Sequence, residues 1–184
     1  MTEAAILDGV VAKERGLREA VQRPDGSWDP LTLDGITTTT LGEWRKLGRP
    51  ATRAELLAMT PAERDALYRH RYIEAPGFTP DRVPFEPLRV LLIDYGVNSG
   101  PSRAIRYLQR VIGLVTPSVH VTGVLDGATS AWLFAHAGYL PLVHDALVAA
   151  RCRMVTGAVE AGRIRRADER GLLRRAASFV LARG

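Results

Sequence analysis

The sequence has 184 residues, of which 46% are apolar and 24% are charged, and its formal net charge is +5. These values are typical of a globular protein with one domain or two small ones, and they exclude a disordered or fibrous chain. No apolar run approaches the roughly 18 residues that a membrane span needs, so we expect no stable membrane insertion. The single cysteine, Cys152, excludes an internal disulfide.

The positive charge is concentrated at the C-terminal end. Residues 151–184 contain nine arginines and three acidic residues. This segment fits a solvated helix face, attraction to an anionic cell wall or outer-membrane lipid, or nucleic-acid binding. Nucleic acid is disfavoured because the rest of the chain has no basic excess and no recognised binding motif. The N-terminus carries acidic residues and no long apolar core, which predicts synthesis in the cytoplasm without a signal peptide.

The first predicted element is an N-terminal helix whose apolar positions run from Ile6 to Val21. At about 100° per residue, Leu7, Leu17 and Val21 flank position 14 on one stripe. That position is occupied by Glu14. A carboxylate facing the interior is costly unless it is paired or protonated, and a protonated carboxyl group suits general acid catalysis. A buried ion pair between this glutamate and an arginine is the alternative.

The predicted strands are few and short. Residues 22–34 predict a β-hairpin with its turn at residues 24–27, and residues 119–124 predict another strand. Helical patterns dominate the remaining sequence. The expected fold class is therefore mainly α, with a small β-hairpin near residues 22–34.

Three Thr-x-x-Glu boxes predict helix starts at Thr40, Thr52 and Thr60, the last helix running to about Ile73. In such a box the threonine hydroxyl caps a backbone N–H group while the glutamate reaches back. Prolines between residues 76 and 87 interrupt regular structure and indicate a linker. The further predicted helices cover residues 101–113, about 128–136, about 141–154 and about 160–182.

Several short motifs occur in a characteristic order. They are Glu14-Arg15-Gly16, Thr32-Leu33-Asp34-Gly35-Ile36-Thr37, Tyr68-Arg69-His70-Arg71-Tyr72, Asp94-Tyr95-Gly96-Val97-Asn98-Ser99-Gly100-Pro101 and Gly123-Val124-Leu125-Asp126-Gly127-Ala128-Thr129. Together they resemble glycoside hydrolase family 108, the phage and prophage N-acetylmuramidases with a companion C-terminal peptidoglycan-binding domain. The resemblance covers about residues 8–178.

The resemblance implies a lysozyme-like helical fold, with a catalytic region at residues 1–88 and a helical peptidoglycan-binding region at residues 89–184. The implied activity is that of an endolysin-like muramidase, which cleaves the β-1,4 bond between N-acetylmuramic acid and N-acetylglucosamine. Such chemistry needs no cofactor, and the histidines show no metal-ligand spacing. The implied partner is peptidoglycan in the periplasm, reached through a holin-like pore. A catalytically inactive peptidoglycan-binding protein is the alternative.

The resemblance also assigns roles to individual residues. Glu14 is the implied general acid, which protonates the glycosidic oxygen. Asp29 is the implied second carboxylate, which stabilises the oxocarbenium-like centre or orients a water molecule that Thr32 helps to hold. Asp25, in the predicted hairpin turn, is the alternative candidate for the second carboxylate. The alternative role of Asp29 is that of a turn residue that accepts hydrogen bonds from local N–H groups. The alternative for Thr32 is that it is an ordinary strand residue without a catalytic role.

Three further residues are candidates for substrate binding. Tyr68, Tyr72 and Asn98 could line the sugar subsites by stacking and hydrogen bonding. The two tyrosines, at helical spacing, fit the protein core equally well, and Asn98 fits a cap of the helix that begins at Pro101. Arg15 replaces a glycine of the family motif, and this departure motivates the inactive alternative.

Overall fold

The computed structural model of the protein describes residues 3–14, 16–23 and 26–181. The chain forms two compact units, Met1–Arg71 and Tyr72–Gly184. The boundary between these units lies before the boundary expected at residues 88–89. The division into a catalytic region and a peptidoglycan-binding region stays a prediction. Within the described residues the structure is mainly helical with two small antiparallel sheets, so the predicted mainly α fold class is confirmed.

The first unit combines short helices with two-residue strands. A π-helical turn, His70–Glu74, follows its last helix. The helices are α1 (Glu3–Glu14), α2 (Thr38–Trp44), α3 (Arg53–Leu57) and α4 (Pro61–Arg69). The strands are β1 (Leu17–Arg18), β2 (Val21–Gln22), β3 (Trp28–Asp29), β4 (Thr32–Leu33) and β5 (Ile36–Thr37).

Helix α1 is shorter than the sequence predicts. It ends at Glu14, and Gly16 follows with a φ of 103°, a left-handed conformation that glycine adopts readily and that ends helices. Leu17 and Val21 therefore lie in strands and are exposed, so their predicted place on the helical stripe is wrong. The buried apolar residues of α1 are Ile6, Leu7, Val10 and Val11.

The strands form two sheets close to the predicted hairpin. One has the order β1-β4-β5, with Arg18 opposite Thr32 and Thr32 opposite Thr37. The other is the hairpin β2-β3, in which Gln22 lies opposite Trp28. Residues 24 and 25 of the predicted turn lie outside the described residues. The small β region therefore runs from residue 17 to residue 37 and is wider than predicted.

Two of the three predicted capping boxes begin helices. Thr52 and Thr60 each accept a hydrogen bond from the backbone N–H three residues later, so those two helix starts are confirmed. The third prediction is wrong, because α2 begins before Thr40. Its cap is Thr37, whose hydroxyl accepts the N–H of Thr40 at 3.0 Å.

The second unit is built from five α-helices within its described residues. Its buried core includes Leu88, Leu92, Leu108 and Leu147. The helices are α5 (Glu86–Ser99), α6 (Pro101–Gly113), α7 (Gly127–Ala135), α8 (Leu140–Glu160) and α9 (Arg166–Ala177), with a 3-10 turn at Ala137–Tyr139. Helix α8 extends beyond the predicted end at residue 154, and α9 is shorter than the predicted helix at residues 160–182.

The strand predicted at residues 119–124 is wrong. The side chain of Gln109, from α6, accepts the backbone N–H groups of Thr122 and Gly123, each at 2.9 Å. The amide nitrogen of the same side chain donates to the carbonyl oxygen of Val124 at 2.9 Å. Because a side chain occupies these backbone groups, they form no sheet hydrogen bonds.

In the part of the chain that the structure describes, no single helix is long and apolar enough to cross a membrane. Helices Gly127–Ala135 and Ala137–Glu160, bent by 83°, reach the required length and composition only as a pair.

Candidate active site

Glu14, the residue expected to act as an acid, is buried at the end of α1. Its exposed fraction is 8%. A β-carbon added to Gly35 would lie 3.1 Å from Glu14 Cβ and 3.2 Å from Glu14 Cγ. The aliphatic part of the glutamate side chain therefore packs directly against the backbone at Gly35, and this position has no room for a larger residue.

The turn between β4 and β5 holds the segment that follows Glu14. The N–H of Gly16 donates to Asp34 Oδ1 at 2.8 Å, and the N–H of Asp34 donates to the carbonyl oxygen of Gly16 at 3.1 Å. Arg64 Nη1 donates to Asp34 Oδ2 at 3.0 Å, and the hydroxyl of Tyr68 donates to the Asp34 carbonyl at 2.6 Å. We call Gly16, Asp34, Gly35, Arg64 and Tyr68 the Asp34 clamp.

The local sequence explains the shape of this turn. Asp34 and Gly35 are the two loop residues between paired strands, and their φ angles are 49° and 78°. Two consecutive positive φ angles are characteristic of the tight hairpin turn that Asp-Gly favours. The Asp-Gly pair was therefore the sequence signal for this hairpin, although it does not predict the contacts with Gly16 and Arg64.

Arg64 also binds Asp65, its neighbour in the chain, which lies outside the clamp. Its Nε atom donates to Asp65 Oδ1 at 2.8 Å. Burial opposes the charge on Arg64, but the hydrogen bonds to Asp34 and Asp65 outweigh it and raise the pKa of the guanidinium. The arginine therefore carries its charge at every pH relevant to catalysis.

Asp29, expected as the second carboxylate, lies in β3 and is half-exposed. Arg23 Nε donates to its Oδ1 atom at 2.6 Å, across the β2-β3 hairpin. Thr32, expected to hold a water molecule, lies in β4 opposite Arg18. Both residues belong to the same unit as Glu14, whereas Asp25 lies outside the described residues. Their catalytic roles stay predictions.

The three expected substrate-binding residues have different surroundings. Tyr68 is fully buried and supports the clamp, and Tyr72 is buried in the second unit. Their roles in substrate binding stay predictions. Asn98 is exposed, and its side-chain amide donates to the carbonyl oxygen of Asp94 at 2.9 Å. This bond is made within α5, so Asn98 does not cap the helix that begins at Pro101.

A large aromatic side chain that sequence reasoning did not select is exposed in the described part of the first unit. Trp28 is 63% exposed in β3, next to Asp29 in the chain. Tryptophan combines a large apolar face with an N–H group that can donate a hydrogen bond. Within residues 3–14, 16–23 and 26–181, no group of three or more His, Cys, Asp or Glu residues could hold a metal ion.

Comparison with known proteins extends these observations. The sequence model of a family described as glycosyl hydrolase 108 matches residues 7–100, which include Glu14 and the whole Asp34 clamp. The solved structure of Brucella abortus SagA covers 97% of this chain and 95% of its own, with 26% sequence identity and a TM-score of 0.71. No curated protein matches the chain. The structural similarity confirms the predicted lysozyme-like fold.

Proposed function

Because the chain belongs to the glycosyl hydrolase 108 family, whose model matches just over half of it, we propose that it is a muramidase. The proposed reaction is hydrolysis of the β-1,4 bond between N-acetylmuramic acid and N-acetylglucosamine in peptidoglycan. The observation that carries this proposal is the buried position of Glu14 at the end of α1, inside the matched region. A carboxyl group with little access to water is suited to donate a proton to a glycosidic oxygen.

In the proposed mechanism Glu14 protonates the leaving oxygen as the glycosidic bond breaks. Positive charge then develops on the sugar ring, and a second carboxylate can stabilise it or orient the attacking water. We assign this role to Asp29, assisted by Thr32, because both lie on short strands of the same unit. Trp28 offers an exposed aromatic face for a sugar ring beside Asp29.

For the second unit we propose binding to the peptidoglycan wall. Helix α9 supports this role, since Arg166, Arg170 and Arg174 recur every four residues and are exposed on one face. Peptidoglycan stems carry carboxylates, which such a row of guanidinium groups attracts. We propose that the protein acts in the periplasm after its release through a holin-like pore.

One observation favours the alternative of a wall-binding protein without catalysis. The carboxylate of Asp29 is held by Arg23, which limits its freedom to assist a reaction. If Asp29 is the second carboxylate, an active enzyme must work with this ion pair in place or open it when substrate binds.

The two functions make different predictions for Glu14→Gln, which removes the acid at nearly constant shape. Purified sacculi are incubated with the wild type, with Glu14→Gln and with the control Glu19→Gln, a change at an exposed residue paired with Arg53. Release of soluble fragments and sedimentation of protein with the sacculi are measured together. A muramidase predicts release by the wild type and the control only, with all three proteins bound. Binding without release by any of them would establish the alternative.

A further inference from the structure

Asp34 has a backbone conformation that is uncommon for residues other than glycine. Its φ of 49° lies in the left-handed region, where non-glycine residues are uncommon. Such conformations persist when the surroundings over-determine them, and they cluster at functional sites. Here the N–H, the carbonyl oxygen and both carboxylate oxygens of Asp34 each have a partner within the clamp.

The constraints on Asp34 converge on Glu14 from two directions. Gly16, the second residue after Glu14, is tied to Asp34 by two reciprocal hydrogen bonds, which fix how the chain leaves α1. Gly35, the next residue after Asp34, packs on Cβ and Cγ of Glu14. One tight turn therefore holds both the backbone after Glu14 and the side-chain stem of the glutamate.

We propose that Asp34 and Arg64 are positioning residues, which hold the Glu14 carboxyl group in the orientation for proton transfer. This inference rests on the proposed role of Glu14 as the acid. Arg64 is 17% exposed and Asp34 is 19% exposed, so solvent screens their ion pair less than the exposed pairs of the same unit.

The test uses Asp34→Asn and Arg64→Gln, separately and combined. Asparagine tolerates the left-handed conformation and can still accept the Gly16 N–H, but it loses the charge that Arg64 pairs with. The matched control is Glu63→Gln, since Glu63 forms a bidentate pair with Arg45 at 2.6 and 2.7 Å, with similar exposure, outside the clamp. The readouts are kcat and KM on soluble uncrosslinked glycan strands and the thermal midpoint, with Glu14→Gln assayed in parallel.

The proposal predicts that Asp34→Asn and Arg64→Gln each lower kcat by about 10-fold to 100-fold, because small displacements of a catalytic group have effects of this size. KM should change by less than about twofold, and the combined variant should lose no more than either single variant. The control should match the clamp variants in thermal midpoint while keeping the wild-type kcat.

Three results would overturn the proposal, and they are distinguishable. If Glu14→Gln is inactive but Asp34→Asn keeps wild-type kcat, the clamp has no positioning role and the proposed function stands. If the control loses kcat as much as Asp34→Asn does, the effect is one of stability alone. If the wild type itself cleaves no glycan strand, the proposed function fails and the catalytic role of the clamp fails with it.

Discussion

Asp94→Asn, in the core of the second unit, should be strongly destabilising. Asp94 is fully buried in α5 and binds two arginines. Arg151, from α8, lies 2.7 Å from Oδ2, and Arg175, from α9, donates to Oδ1 at 2.9 Å. One carboxylate therefore balances part of the charge of two guanidinium groups and ties three helices together.

The expected loss follows from the burial of these groups. Arg151 is 3% exposed and Arg175 is 14% exposed. At an effective dielectric constant of about 20, charges about 3 Å apart attract each other by roughly 5 kcal/mol, and desolvation offsets much of this. Removing one partner of a buried ion pair leaves an unbalanced charge and typically costs about 3 to 5 kcal/mol. The rings of Tyr95 and Phe179, 5.1 and 5.8 Å from the Arg151 guanidinium, compensate only in part.

The assay is urea unfolding of the whole protein, followed by its helical circular dichroism signal. We expect Asp94→Asn to lower the free energy of unfolding by about 3 to 5 kcal/mol. The control is Asp168→Asn, which breaks an exposed pair with Arg165 and should cost less than about 1 kcal/mol. Equal small losses in both variants would refute the argument from burial.

Three smaller predictions test other parts of the structure. Gly35→Ala places a β-carbon 2.6 Å from the hydroxyl of Tyr68 at a positive φ, so thermal denaturation should show a loss of about 1 to 3 kcal/mol. Gln109→Leu should accelerate hydrogen exchange at residues 122 and 123, whose N–H groups lose their acceptor. The hydrogen bond from Arg49 lowers the pKa of Glu55 to about 2, so this pair stabilises the fold above about pH 4.5. That contribution is lost as the pH falls from about 4.5 towards 2, so the thermal midpoint of the wild type should decline over this range. Arg49→Gln should make this decline smaller.

The features that the sequence predicted well depend on neighbouring residues. Thr52 and Thr60 cap their helices through backbone groups three residues away, and Gly100 with Pro101 separates α5 from α6 within one turn. Such signals can be read from the sequence because the interaction closes over a few residues. The burial of Glu14 was also predicted, although Leu17 and Val21, on which the prediction partly relied, lie outside α1.

The features that the sequence did not predict depend on distant residues. The clamp joins Gly16 to Asp34 and Arg64, which no periodic pattern connects. The wrong strand at residues 119–124 has the same origin, since the amide of Gln109, from another helix, occupies its backbone groups. Apolar content alone favours a strand there, and only the tertiary structure reveals the competing side chain.

The proposed reaction is cleavage of a defined bond of peptidoglycan with Glu14 as the acid. Its most direct test identifies the new reducing ends released from sacculi, by borohydride reduction and mass spectrometry of the soluble fragments. We expect wild-type digests to end in reduced N-acetylmuramic acid and Glu14→Gln digests to contain no such ends. Fragments that end in reduced N-acetylglucosamine, or equal release by Glu14→Gln, would rule out the proposed reaction.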